Sequence, residues 1–200
     1  MNYQGTPVYG ILKFQIKNKD EKITPTVKNN TTVNTVKMKA SFKKTTVVYN
    51  GKAQKPQIKE VKVGNNKISS KYYSISYKNN KNVGTGYAVI RGKGKYKSYS
   101  CTVKFKIIPK STMIKKITAA KNTAKVKWKK VSGAGGYQIQ CSTSKNFKNA
   151  KTKTVKNITA LKISKLSGKR TYYVRIRSWK KVGKNVYYSG WSKAKKVKIK

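Results

Sequence analysis

The sequence predicts an all-β protein of antiparallel strands, and three observations carry that prediction. Lysine alternates with apolar residues along short runs such as Val61-Lys62-Val63, Val103-Lys104-Phe105-Lys106-Ile107, Val126-Lys127-Trp128 and Val197-Lys198-Ile199. Period-two alternation puts one row of side chains in a core and the other in water, with the lysine stems lying along the sheet. No stretch repeats apolar residues at helical spacing. Turn signals recur at short intervals, at Asn50-Gly51, Gly64-Asn65-Asn66, Asn79-Asn80, Gly92-Lys93-Gly94, Ser132-Gly133 and Ser167-Gly168.

These strands fall into segments. Residues 1–33 form an N-terminal segment, of which 18–33 is polar and reads as a flexible linker. Residues 34–109 make one strand-rich block, and residues 112–200 make another after Pro109-Lys110-Ser111. Small sandwiches run to about 70–100 residues, so the expectation is two consecutive β-sandwich modules.

Charge sets the chain apart. Fifty basic residues face three acids (Asp20, Glu21 and Glu60), a formal net charge of +47. Arg91, Arg170, Arg175 and Arg177 are the arginines, and the other basic residues are lysines. Such a field repels itself and draws in polyanions, with affinity that falls as salt rises. With no histidine and three carboxylates, the sequence lacks the side chains for Ser-His-Asp or Cys-His nucleophiles, paired-carboxylate hydrolysis, Cys/His zinc sites and EF-hand calcium loops. No enzyme activity, metal or cofactor is expected; any chemistry would fall to a lysine, tyrosine or cysteine. Cys101 and Cys141 each occupy an inward strand position in a different block, as small buried hydrophobes or as an interdomain bridge.

No run of 18 apolar residues predicts a membrane span. Residues 1–10 carry neither the basic nor the apolar region of a secretory signal. The chain is expected to be a piece of a longer protein. Asn2-Tyr3-Gln4-Gly5-Thr6 with Leu12-Lys13-Phe14-Gln15-Ile16 echoes Lys95-Tyr96-Lys97-Ser98 with Val103-Lys104-Phe105-Lys106-Ile107. Residues 2–17 therefore read as the last strands of a truncated preceding repeat.

In the second block, Val126 and Trp128 share a face, as do Tyr137, Ile139 and Cys141, then Leu161 and Ile163, then Tyr172, Val174 and Ile176. The run Val126-Lys127-Trp128, the strand Tyr137-Gln138-Ile139-Gln140, the segment from Leu166 through Tyr172 to Arg177, and Gly190-Trp191-Ser192 together resemble the fibronectin type III family over about 85 residues. That resemblance implies structural roles for Trp128, Tyr137, Leu166, Tyr172 and Trp191, with Tyr172 as the corner tyrosine whose hydroxyl bonds back to the preceding turn. Some members bind integrins through an Arg-Gly-Asp loop between the last two strands; here that loop is 180–185 and holds no Asp. The first block, with Tyr49-Asn50-Gly51 and Pro56, the strand from Tyr72 to Asn80, Gly92-Lys93-Gly94-Lys95-Tyr96 and Phe105-Lys106-Ile107, resembles the short immunoglobulin-like repeat of Gram-positive surface proteins. That family supplies no catalytic residues.

One surface constellation is a candidate ligand patch. Strand parity places Tyr173, Arg175, Arg177 and Trp179 on one outward face, with Gln138 and Gln140 beside them. Arginine forks suit phosphate or carboxylate, and aromatic rings stack on sugars or bases. The competing reading has Trp191 stacking on Arg175 and Arg177 within the chain.

The expected function is a monomeric, non-catalytic spacer and adhesion module of a bacterial surface or secreted protein, extracellular, whose partners are anionic cell-wall polymers, glycans or other surface proteins. Two alternatives accompany it: a basic protein binding nucleic acid nonspecifically at low salt, and an accessory module of a secreted wall- or polysaccharide-degrading enzyme. No groove-reading element or aromatic RNA-binding signature supports specific nucleic-acid recognition.

Overall fold

Alternating burial governs the architecture. The computed structural model describes residues 36–200; the expected repeat fragment (2–17) and linker (18–33) lie outside the described residues. The chain is all-β. In the first sandwich, β1 (Met38–Phe42), β3 (Ile58–Val63) and β4 (Asn66–Lys67) form a three-stranded antiparallel sheet in the order β1-β3-β4. The facing sheet has the order β2-β7-β6-β5, from β2 (Thr46–Val48), β5 (Tyr73–Lys78), β6 (Gly84–Gly92) and β7 (Ser100–Ile108). The expectation of antiparallel strands needs one correction: β2 runs parallel to β7, pairing Val47 with Ile107. The chain enters this sheet beside its own last strand, and three residues suffice for that edge. Helical structure among the described residues is limited to 3-10 turns at Ser70–Tyr72 and Gly94–Tyr96.

Between these sheets lie Met38, Phe42, Val61, Val63, Ile90, Phe105 and Ile107, all buried. Phe105 is the centre, meeting Phe42 and Tyr77 edge-on at ring-centroid distances of 5.5 and 6.3 Å. The ring fits because Gly86 lies under it: a Cβ there would come within 2.5 Å of the Phe105 ring.

The second sandwich sets three strands against a larger sheet. β8 (Ile114–Ala120), β9 (Thr123–Trp128) and β12 (Ala160–Ile163) pair in the order β12-β9-β8. Opposite run β11 (Lys151–Lys156), β10 (Gly136–Ser142), β13 (Thr171–Val182) and β14 (Asn185–Tyr188), with β15 (Lys195–Lys198) also on β13. The two sheets make a second antiparallel β-sandwich. Trp128 (2% exposed) and Tyr137 meet edge-on at 5.4 Å among Val126, Ile139, Cys141, Leu166, Val174 and Ile176. The Tyr172 hydroxyl accepts from the Ser167 backbone N–H at 3.1 Å, closing the turn that follows Leu166. Tyr137 does similar work inside, its hydroxyl accepting from the Val131 N–H at 2.8 Å.

Cys101 is half-buried and Cys141 buried, and both are free thiols rather than partners in an interdomain bridge. Among the described residues no helix is long and apolar enough to cross a membrane.

Candidate functional site

The exposed face of β13 is built by register. Antiparallel pairing sets Arg177 opposite Gln138 and Arg175 opposite Gln140 on β10. Arg177 Nε donates to Gln138 Oε1 at 2.9 Å, and Arg175 Nε donates to Gln140 Oε1 at 2.8 Å. Each glutamine passes the row on to β11, its Nε2 donating to Thr154 and Thr152 Oγ1 at 3.4 and 3.3 Å. Two polar rows thus cross three strands side by side.

Aromatic rings cover these guanidinium groups. Between β14 and β15 half of the ladder survives: Ser189 N and Ser192 N still donate to Ser178 O and Ile176 O at 3.0 and 2.8 Å, but the reciprocal carbonyl acceptors are lost. Serines take over. Ser189 Oγ accepts from the Ser178 N–H at 3.0 Å, and Ser192 Oγ accepts from the Ile176 N–H at 3.1 Å. Gly190 and Trp191 lie between these two anchors, and the Trp191 ring sits over both arginines. The Trp191 ring centroid is 4.6 Å from Arg175 Cζ and 4.3 Å from Arg177 Cζ. Phe147 lies 4.0 Å from Arg175, and Tyr188 lies 3.9 Å from Arg177. The order is Tyr188, Arg177, Trp191, Arg175, Phe147: ring and cation in alternation.

Burial draws both guanidinium pKa values below the ordinary arginine value; for Arg177, Tyr188 opposes the shift and the Arg175 charge adds to it. Both groups stay charged at any ordinary pH. With rings on their faces and Nε given to glutamine, the arginines can offer an anion only their in-plane terminal nitrogens. Four such contacts contribute about 0.5–1 kcal/mol each. The ladder is first of all a clamp.

Arg175, Arg177, Gln138 and Gln140 come together on the face that strand parity predicts, and Trp191 stacks on both arginines as the competing reading has it. Tyr173 and Trp179 share the strand but flank the ladder. Tyr173 pairs with Ser142. Trp179 packs on Gly136, where a Cβ would come within 2.8 Å of its ring, and its indole N–H is buried without a partner. Phe147 and Tyr188 were not anticipated. Phe147 sits in a loop at φ 58°, outside the reach of strand parity. Tyr188 is the last residue of β14, paired with Trp179.

Neither cysteine resembles an activated nucleophile. Burial pushes the Cys141 thiol up to about 11, against a small lowering by Lys151, and raises Cys101 as well.

No protein-family model matches the sequence, and no curated protein matches it. Among solved structures the chain is similar to a myokine structure, at 16% identity and a TM-score of 0.34, over 44% of this chain and 90% of that one. It is similar to the FN1-FN3 domains of chicken CNTN1 at 13% identity and a TM-score of 0.42, over 60% of this chain and 44% of that one. A β-1,2-glucanase from Parabacteroides distasonis matches at 11% identity and a TM-score of 0.38, over 57% of this chain and 17% of the enzyme. Likenesses at this level carry no argument, and the sandwich assignment stands on strand order and cores.

Proposed function

We propose that the chain is a non-catalytic structural and interaction module of a bacterial surface or secreted protein. In this reading an immunoglobulin-like repeat (34–109) and a fibronectin type III-like domain (112–200) space other domains and adhere to anionic wall polymers or glycans. One observation carries it. Lysines stand on the solvent side of the strands in both sandwiches, and Glu60, 3.6 Å from Lys62, is the sole acid among the described residues. A positive surface with almost no internal neutralisation attracts polyanions over a Debye length of about 8 Å at physiological salt. Scattered lysines suit a flexible, repetitive anion better than one defined phosphate group, because the ammonium is a point charge without a fixed fork.

The test is cosedimentation with intact Gram-positive cell walls, before and after teichoic acid is stripped, beside duplex DNA at ~150 mM salt. Retention on intact walls, lost on stripping and weaker on DNA, is the expected result. Preference for DNA at that salt would replace this reading with nucleic-acid binding, and equal loss on both would leave a spacer without adhesion.

A further inference from the structure

The connector between the sandwiches lines a cleft of about 800 Å³ whose chemistry differs from that of the lysine-clad sheet faces. Its walls are fixed. Tyr49 N donates to Ile108 O at 2.9 Å, and Ser178 Oγ donates to Lys110 O at 2.6 Å. Thr112 Oγ1 bonds to Lys129 O, and Lys129 N donates to Met113 O at 3.0 Å. The Tyr49 ring reaches Gly133, at φ 74°, where a Cβ would come within 2.9 Å of it.

Two of the seven exposed large apolar side chains among the described residues meet in this cleft: Val48, 50% exposed, and Met113, 61% exposed. Tyr49 and Val131 continue that apolar wall, and Lys110, Lys129 and Lys130 supply three ammonium groups. Ser111, Ser132 and Asn50 add hydroxyl and amide groups, and no carboxylate lines the cleft. An apolar peptide would leave the exposed Lys110, Lys129 and Lys130 without an anionic partner. A bare inorganic anion would leave Val48 and Met113 without a role. A sugar unit bearing a negative group satisfies both: its C–H face covers the apolar wall, its hydroxyls meet the polar groups, and its charge meets the lysines.

We propose that this cleft binds one anionic sugar or polyol unit, carboxylate- or phosphate-bearing. The proposal rests on the adhesion reading above and gives it a place in the fold. The lysine field gathers the polymer, and the cleft holds one unit of it.

The test uses the whole chain at ~150 mM salt, titrated with a galacturonate trisaccharide, a glycerol phosphate trimer and a neutral galactose trisaccharide. Amide shifts are followed by NMR, and the tighter of the two anionic probes identifies the charged group. Shifts should centre on residues 110–113 and 129–132. The pair Lys129→Gln/Lys130→Gln should lose about tenfold in affinity, and the remote pair Lys125→Gln/Lys162→Gln less than about twofold. Met113→Ser, at an exposed position that leaves the cores intact, should lose about threefold. Equal loss in the two lysine pairs, an unchanged Met113→Ser, or equal binding of the neutral sugar overturns the cleft. Failure of both anionic probes while intact walls still retain the protein also overturns the cleft and spares the adhesion reading. Loss of wall retention by the unmodified chain overturns both.

Discussion

The two sandwiches handle the same excess of positive charge differently. In the first, cations meet a tyrosine cluster at long range: Lys71 lies 5.0 Å from the Tyr72 ring, and Lys95 lies 6.0 and 5.4 Å from Tyr72 and Tyr96. In the second, arginines stack at 3.9–4.6 Å between three rings. A planar guanidinium can lie flat on a ring and still give Nε to a glutamine. An ammonium is strongly hydrated and stays farther from the ring. The same charge thus gives a structural clamp where it is arginine and a solvated field where it is lysine.

The cores differ in parallel. All three tryptophans lie in the second sandwich, so their fluorescence reports it alone, whereas circular dichroism sees both. Phe105→Ala and Trp128→Ala should each cost about 3–5 kcal/mol, as expected for an aromatic truncated in a packed core. Phe105→Ala should shift the dichroism transition in denaturant and leave the fluorescence midpoint close to its original value. If both probes move together, the two cores unfold as one and the contrast collapses.

A smaller contrast lies in two tyrosine hydroxyls. Tyr137 accepts from the Val131 N–H in a buried setting, whereas Tyr77 donates to Pro56 O in a half-buried one. Tyr137→Phe should cost about 1–3 kcal/mol because it strands a buried N–H, and Tyr77→Phe about 0.5–1.5 kcal/mol. Thermal denaturation of the two variants ranks them. Smaller again is the clamp itself. Trp191→Ala removes two stacking contacts and should cost about 1–2 kcal/mol, while Lys95→Gln in the first sandwich should stay within about 0.5 kcal/mol. Equal effects would mean that guanidinium geometry contributes nothing special.

A last difference is in pH. Cys141 is held protonated by burial, its thiol pushed up from the ordinary cysteine value to about 11. The unfolded chain releases that proton first, so the stabilisation is complete below about pH 9 and is lost as pH rises through about 11. The reading is the difference between the parent chain and Cys141→Ala. The parent should lose stability more steeply with pH; parallel curves would contradict it.

Much of this was legible in the residues. Strict alternation placed Val126, Trp128, Tyr137, Ile139, Val174 and Ile176 inward and Arg175, Arg177, Gln138 and Gln140 outward, because a strand leaves a side chain two choices. The Tyr172 bond to the turn was implied by the fibronectin type III resemblance, and the Trp191 stack was one of the two readings of that face. Three features did not follow. The parallel β2 edge depends on which distant strand a three-residue segment meets, Phe147 enters the ladder from a left-handed loop position, and the cleft is built from connectors. Loop residues carry no period, so nothing local announces where their side chains converge.

On the proposed reading, apolar inner faces fold the chain and lysine charge makes it adhere. Acetylating the lysines of the folded protein tests that separation directly, because it removes charge without touching the cores. The near-ultraviolet signal of Trp128 and its neighbours should persist while retention on teichoic acid-bearing walls disappears. Walls that still hold the acetylated protein at the same salt would contradict the account.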